Sequence, residues 1–97
     1  MIEVGQFCYI KCSRYVDYGI KKGDLIYVAG DTMVAIDEGD PYLHRKIFLA
    51  ARTDDGHVDA KAKALTVDGV NLKPVSKSQQ KKLYTQLEED FKKAEES

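Results

Sequence analysis

Residues 23–37, GDLIYVAGDTMVAID, constrain this chain more than any other stretch. Two apolar runs, 25–29 and 32–36, flank Gly30-Asp31, and glycine at the first central position of a two-residue loop suits a type II′ turn. The reading is a β-hairpin. Pairing about that turn sets Val28 opposite Met33 and Ile26 opposite Ala35 on one face, with Tyr27 opposite Val34 and Leu25 opposite Ile36 on the other. Both faces are apolar, whereas a half-exposed antiparallel sheet alternates apolar and polar residues, so the hairpin needs a cover on each side. One cover is the chain's own core. The other is a helix or a partner subunit, and Leu25, Tyr27, Val34 and Ile36 form the face it buries.

The rest of the chain supplies the strands around that hairpin. A strand over residues 6–12 puts Cys8, Ile10 and Cys12 on one face and Phe7 and Tyr9 on the other. Residues 13–23 connect it to the hairpin, and the chain breaks again at 38–41, which hold Gly39 and Pro41. A strand follows over 44–52, then Asp55-Gly56, a type I′ turn signal. From His57, Val58, Ala60, Ala62 and Ala64 alternate with His57, Asp59, Lys61 and Lys63, the pattern of a strand with one wet face. Alanine favours helix, so a helical turn over 59–65 is the alternative. Residues 65–67 and 70–72 flank Asp68-Gly69 as a further tight turn, and Pro74 ends that strand. Ser76 with Gln79 matches a capping box. Leu83, Leu87, Phe91 and Ala94 then line one helical stripe with Tyr84 beside it, while Glu88/Lys92 and Glu89/Lys93 form i,i+4 pairs on the wet side. The expected fold is mainly β: a small SH3-like or OB-like barrel of five or six antiparallel strands over 1–75, with a C-terminal amphipathic helix over 76–97 packed on the same single domain.

Charge and cysteine usage narrow the partners. Fifteen Lys and Arg against 16 Asp and Glu leave a net charge of -1 in 97 residues, so no broad positive field draws the protein to nucleic acid or an anionic membrane, and any basic patch is local. No apolar run approaches the ~20 residues of a membrane span, and no charged-then-apolar leader opens the chain. A cytoplasmic protein, of a cell or of an infected host, is expected. Two cysteines make no disulfide framework. On one strand their sulfurs lie roughly 13 Å apart at ~3.3 Å per residue, beyond a disulfide or a shared metal.

Gly30, Asp31, Met33, Val34 and Ile36 resemble the first motif of the Sm-like (LSm) family, in which a strand ends in Gly, then Asp, a Met two or three residues on, and an apolar strand. Val67, Asp68 and Gly69 stand where the family's second motif has an apolar residue, Arg and Gly between two short strands. The resemblance covers roughly residues 5–73, and a phage-encoded member is the nearest kind. It implies a small barrel that assembles edge to edge into a homo-oligomeric ring. Val34 stands where the family has asparagine, and Asp68 where it has an RNA-contacting arginine. The family's own RNA contact is therefore not carried over.

The local basic patch is Lys11, Arg14, Tyr15, Tyr18, Lys21 and Lys22, cations interleaved with aromatics as in grooves that hold single strands. RNA or single-stranded DNA is the leading ligand, and a ring would multiply a weak patch. The competing reading is a protein-interaction or structural module in which the lysines are solvated and the tyrosines half-packed. Cys8, Cys12, His44 and His57 lack zinc-finger spacing, and Asp37, Glu38 and Asp40 lack the order of an EF-hand loop. No nucleophile elbow or phosphate loop occurs. No metal, cofactor or catalytic residue is assigned, and enzyme activity is not expected.

Overall fold

The structure, a computed structural model, describes residues 2–37, 39–54, 57–59 and 63–96, with the side chains of all of these except 35–37, 40–45, 54, 94 and 96. Six strands form one antiparallel sheet: β1 (Phe7–Ile10), β2 (Leu25–Asp37), β3 (Asp40–Asp54), β4 (His57–Val58), β5 (Leu65–Asp68) and β6 (Leu72–Pro74), followed by a helix, α1 (Lys77–Glu96). The path runs β4-β3-β2-β1-β6, and β5 pairs with β3 as well. A one-turn 3-10 link, Gly69–Asn71, joins β5 to β6. These two strands thus attach to opposite sides of the sheet, on β3 and on β1, without a ladder between them among the described residues, and the sheet is not closed into a barrel.

Gly30-Asp31 is not a turn. β2 runs straight through it and pairs with β3 from Ile26↔Arg52 to Asp37↔Asp40, so the chain reverses between Asp37 and Asp40 instead. The pairings of Val28 with Met33 and of Tyr27 with Val34 are therefore replaced by Val28↔Ala50, Met33↔Lys46, Tyr27↔Ala51 and Val34↔Arg45. The physical reason is a β-bulge between Val28 and Gly30, which admits one unpaired residue without reversing the chain. Glycine then serves close approach: a Cβ on Gly30 would lie 3.2 Å from Leu49 Cδ1. The bulge also keeps Tyr27 and Val34 on one face, because Ala51, Leu49, Ile47 and Arg45 alternate regularly opposite Tyr27, Gly30, Thr32 and Val34. The Ile36 side chain lies outside the described residues.

Other bounds move for local reasons. β1 is shorter than residues 6–12 because Lys11 turns its N–H to the Asn71 carbonyl. The strand expected over 70–72 begins at Leu72, since Gly69–Asn71 coils into the 3-10 turn. The long strand expected from His57 is only His57–Val58, and Lys63 and Ala64 carry no strand or helix. Residues 55, 56 and 60–62, with the Asp55-Gly56 turn, lie outside the described residues.

The core sits under one face of the sheet and joins Cys8, Ile10, Tyr15, Ile20, Ile26, Val28, Phe48, Ala50, Val67 and Leu72. Phe7 and Val75 are buried outside that cluster, on the side where α1 lies. The Phe7 ring meets Tyr27 at 5.0 Å and Tyr84 at 5.9 Å between centroids. Both apolar faces of the sheet's base are thus covered, one by the core and one by the helix.

Helix α1 is fastened by side chains of its first turns. Ser76 Oγ accepts the Gln79 N–H at 3.3 Å, the N-cap that the sequence signals. The Gln79 amide does not complete the capping box but donates to the Tyr9 hydroxyl at 2.6 Å. Gln80 accepts the Phe7 N–H at 2.9 Å and donates to the Phe7 carbonyl at 2.8 Å, so its carboxamide imitates a neighbouring strand. The Tyr84 hydroxyl donates to the Gly5 carbonyl. From there α1 crosses to β4, where His57 Nδ1 lies 2.7 Å from Asp90 Oδ2. Leu83 and Leu87 are half-buried, but Phe91 is 63 % exposed, so the expected apolar stripe is covered only in part. No helix among the described residues is long and apolar enough to cross a membrane.

Candidate nucleic-acid interface

The connection from β1 to β2 is held by two inward anchors that turn its other side chains outward. Tyr15 is buried in the core, and its hydroxyl accepts the Asn71 amide at 2.9 Å and the Asp68 N–H at 3.4 Å. Ile20 is the other anchor. Between them Val16–Tyr18 makes a 3-10 turn, closed by Gly19 in the left-handed region at φ 84°. A tight turn follows, in which Asp24 Oδ2 accepts the Lys21 N–H at 2.8 Å and Gly23, at φ 91°, donates to the Ile10 carbonyl.

Of the residues named from sequence, Lys11, Arg14, Tyr18, Lys21 and Lys22 are exposed, and Tyr18 is 61 % so. Tyr15 offers no ring for stacking, because packing has claimed it for the core. Leu25 and Tyr27 are half-buried at the base of β2. Val34, also half-buried, lies seven residues along the same strand, roughly 23 Å away at the rise of a strand. These do not cluster as the hairpin reading required.

Two concavities flank Tyr18. A groove of about 420 Å³ is lined by Arg14, Tyr15, Asp17, Tyr18, Leu65 and Thr66. The second, about 370 Å³, lies among Gly19, Ile20, Gly23, Asp24, Arg52 and Thr53. Arg52 is the residue that sequence reading missed. It comes from β3, and its guanidinium lies against Gly19 while Nη2–H donates to the Tyr18 carbonyl. Glycine at position 19 answers the left-handed backbone angle, and the mobile end of the Arg52 side chain lies where a Cβ would come within 2.6 Å of Nη2. No local motif could reveal a contact spanning 34 residues.

The site's charge is mixed but leans positive: Lys11, Arg14, Lys21, Lys22 and Arg52 stand against Asp17 and Asp24 in the connection and Asp68 at the β5 end. Metal and nucleophile chemistry find little here. Among the described residues no group of three or more His, Cys, Asp or Glu is placed to hold a metal ion. Burial pushes the Cys8 thiol up to about 11, so it is uncharged at neutral pH. His57 is engaged with Asp90, and the His44 side chain lies outside the described residues. Comparison with protein-family models, with curated proteins and with solved structures finds no match to this chain.

Proposed function

We propose that the protein is a non-enzymatic binding module of the small-barrel, Sm-like kind that holds single-stranded RNA or DNA along residues 11–22. The observation that carries this reading is the open groove with Arg14 on its wall and an exposed Tyr18 at its rim. A cation beside a solvent-facing ring is what a single strand uses, a phosphate contact and a stacking platform. The barrel element is supported by β5 and β6, which reach opposite sides of the sheet through a single 3-10 turn.

Self-association, which the Sm-like resemblance implies as a ring, is supported by the far half of the β2–β3 hairpin. Beyond the Thr32↔Ile47 pair, where the β3–β5 ladder has ended, each strand pairs only with the other among the described residues, leaving two open edges for strand addition. The same edges, with Met33 and Val70 exposed nearby, favour the second reading, a protein-interaction module without nucleic acid.

Fluorescence anisotropy with labelled oligo-U and oligo-dT separates the two. The wild type should bind at low salt and weaken as salt rises, and the combined charge reversal R14E/K21E/K22E should remove binding. Absence of any wild-type shift at low salt overturns the nucleic-acid reading and leaves the protein-interaction one. Light scattering tests the ring: a mass that stays at 10.9 kDa at micromolar concentration excludes it.

A further inference from the structure

We propose that Arg52 forms a phosphate subsite on the far side of Tyr18 from Arg14, so that one nucleotide stacks on Tyr18 between two guanidinium groups. This rests on the nucleic-acid reading and extends it to a residue on another strand. Tyr18 links the two concavities: it lines the Arg14 groove, and its carbonyl accepts from Arg52, which lines the other together with the adjacent Gly19. A strand laid over the exposed ring carries one phosphate to each side. Only cations in both concavities would meet both phosphates.

Arg52 is prepared for that contact. The guanidinium is planar with five N–H donors in a fixed fork, and one Nη2–H is used on the Tyr18 carbonyl. Gly19, lacking a side chain, lets the group lie close on the backbone, which fixes its orientation without hiding it, since Arg52 remains exposed on the wall of the 370 Å³ concavity. A held, solvent-facing guanidinium suits bidentate phosphate recognition with little ordering left to do on binding. Lys21 and Lys22 lie on the adjoining turn and add positive potential. The Asp24 carboxylate lines the same concavity and accepts the Lys21 N–H.

The test is a salt series of oligo-U binding by anisotropy. Arg52→Gln keeps an amide donor for the Tyr18 carbonyl and removes the charge. The slope of log affinity against log salt should shrink by about 0.7, the share of one phosphate contact on a single strand, and Arg52→Lys should restore it. Tyr18→Ala should weaken binding about tenfold or more with the slope unchanged, as loss of stacking does. In the wild type the Arg52 Nε–H resonance should shift as oligo-U is added, a measurement that needs no variant. An unchanged slope in folded Arg52→Gln, or a static Nε–H resonance at saturating oligo-U, overturns the subsite while the nucleic-acid reading stands. Failure of the wild type to bind oligo-U overturns both.

Discussion

The two halves of β2 carry similar apolar alternation into different surroundings. At the base, Ile26 and Val28 enter the core on one face, and Tyr27 joins Phe7 and Tyr84 beneath α1 on the other. Beyond Gly30 β2 pairs only with β3 among the described residues, Met33 is 55 % exposed, and an Asp31–Lys46 ion pair at 3.5 Å joins two exposed side chains. A two-stranded ribbon is marginal by itself in water. The far half stands because the base holds its root. An apolar two-faced pattern therefore specifies a strand but not its cover. The buried core lies at the base, and Met33 on the far half is exposed.

The largest expected effect follows from that division. Phe7→Ala removes a fully buried ring that touches both β2 and α1, and urea unfolding should show a loss of about 3–5 kcal/mol. Met33→Ala in the same assay should stay within about 0.5 kcal/mol of wild type. A Met33 loss comparable to that of Phe7 would mean that the far half is packed in solution, and the contrast between the regions would fall.

What could be seen in the sequence follows the range of the interactions. The N-cap at Ser76 was legible because its partner is three residues away, whereas the break expected over 38–41 is shorter, since β3 already starts at Asp40 and takes in Pro41. Gly30-Asp31 misled because the same dipeptide that turns a hairpin also fits a strand with a bulge beside it. Only the partner, Leu49, decides between them, and it lies 19 positions on. The alternation after His57 gave the right local state at His57 and Val58, while Asp59, Lys63 and Ala64 are outside any strand. In the candidate site, exposed cations and Tyr18 could be named from composition and spacing. Tyr15 could not be assigned to the core, nor Arg52 to the site, because both depend on chain segments brought together by the sheet.

A smaller effect is expected where the helix grips the base. Gln80→Ala leaves the Phe7 N–H and part of its carbonyl capacity without the carboxamide partner, in a part-buried position. The expected cost is about 1–3 kcal/mol in urea unfolding, with faster amide exchange at Phe7 than elsewhere in β1. Gln80→Glu keeps an acceptor for the N–H but cannot donate to the carbonyl, and should fall between wild type and alanine. Equal exchange rates along β1 in Gln80→Ala would show that the helix covers this face by ring packing alone.

The smallest effect lies at the other end of α1, where the contact with β4 is exposed. His57 donates to Asp90, and that hydrogen bond, helped by Gln86, holds the Asp90 carboxyl below the usual carboxylate range. A carboxyl with a lowered folded value stabilises the fold above its unfolded value, and the contribution disappears as pH falls through the folded one. Solvent screening keeps it small. Amide exchange over residues 86–93, followed by NMR from neutral to acid pH, should therefore accelerate at the acid end while the Gln80–Phe7 end of the helix stays protected. Asp90→Asn should show fast exchange in residues 86–93 at neutral pH and little further change with acid. Uniform acceleration along all of α1 would mean that the helix leaves the sheet as one body. Its exposed end would then share the stability of its buried end, and the distinction between covered base and uncovered extension would hold for the sheet but not for the helix.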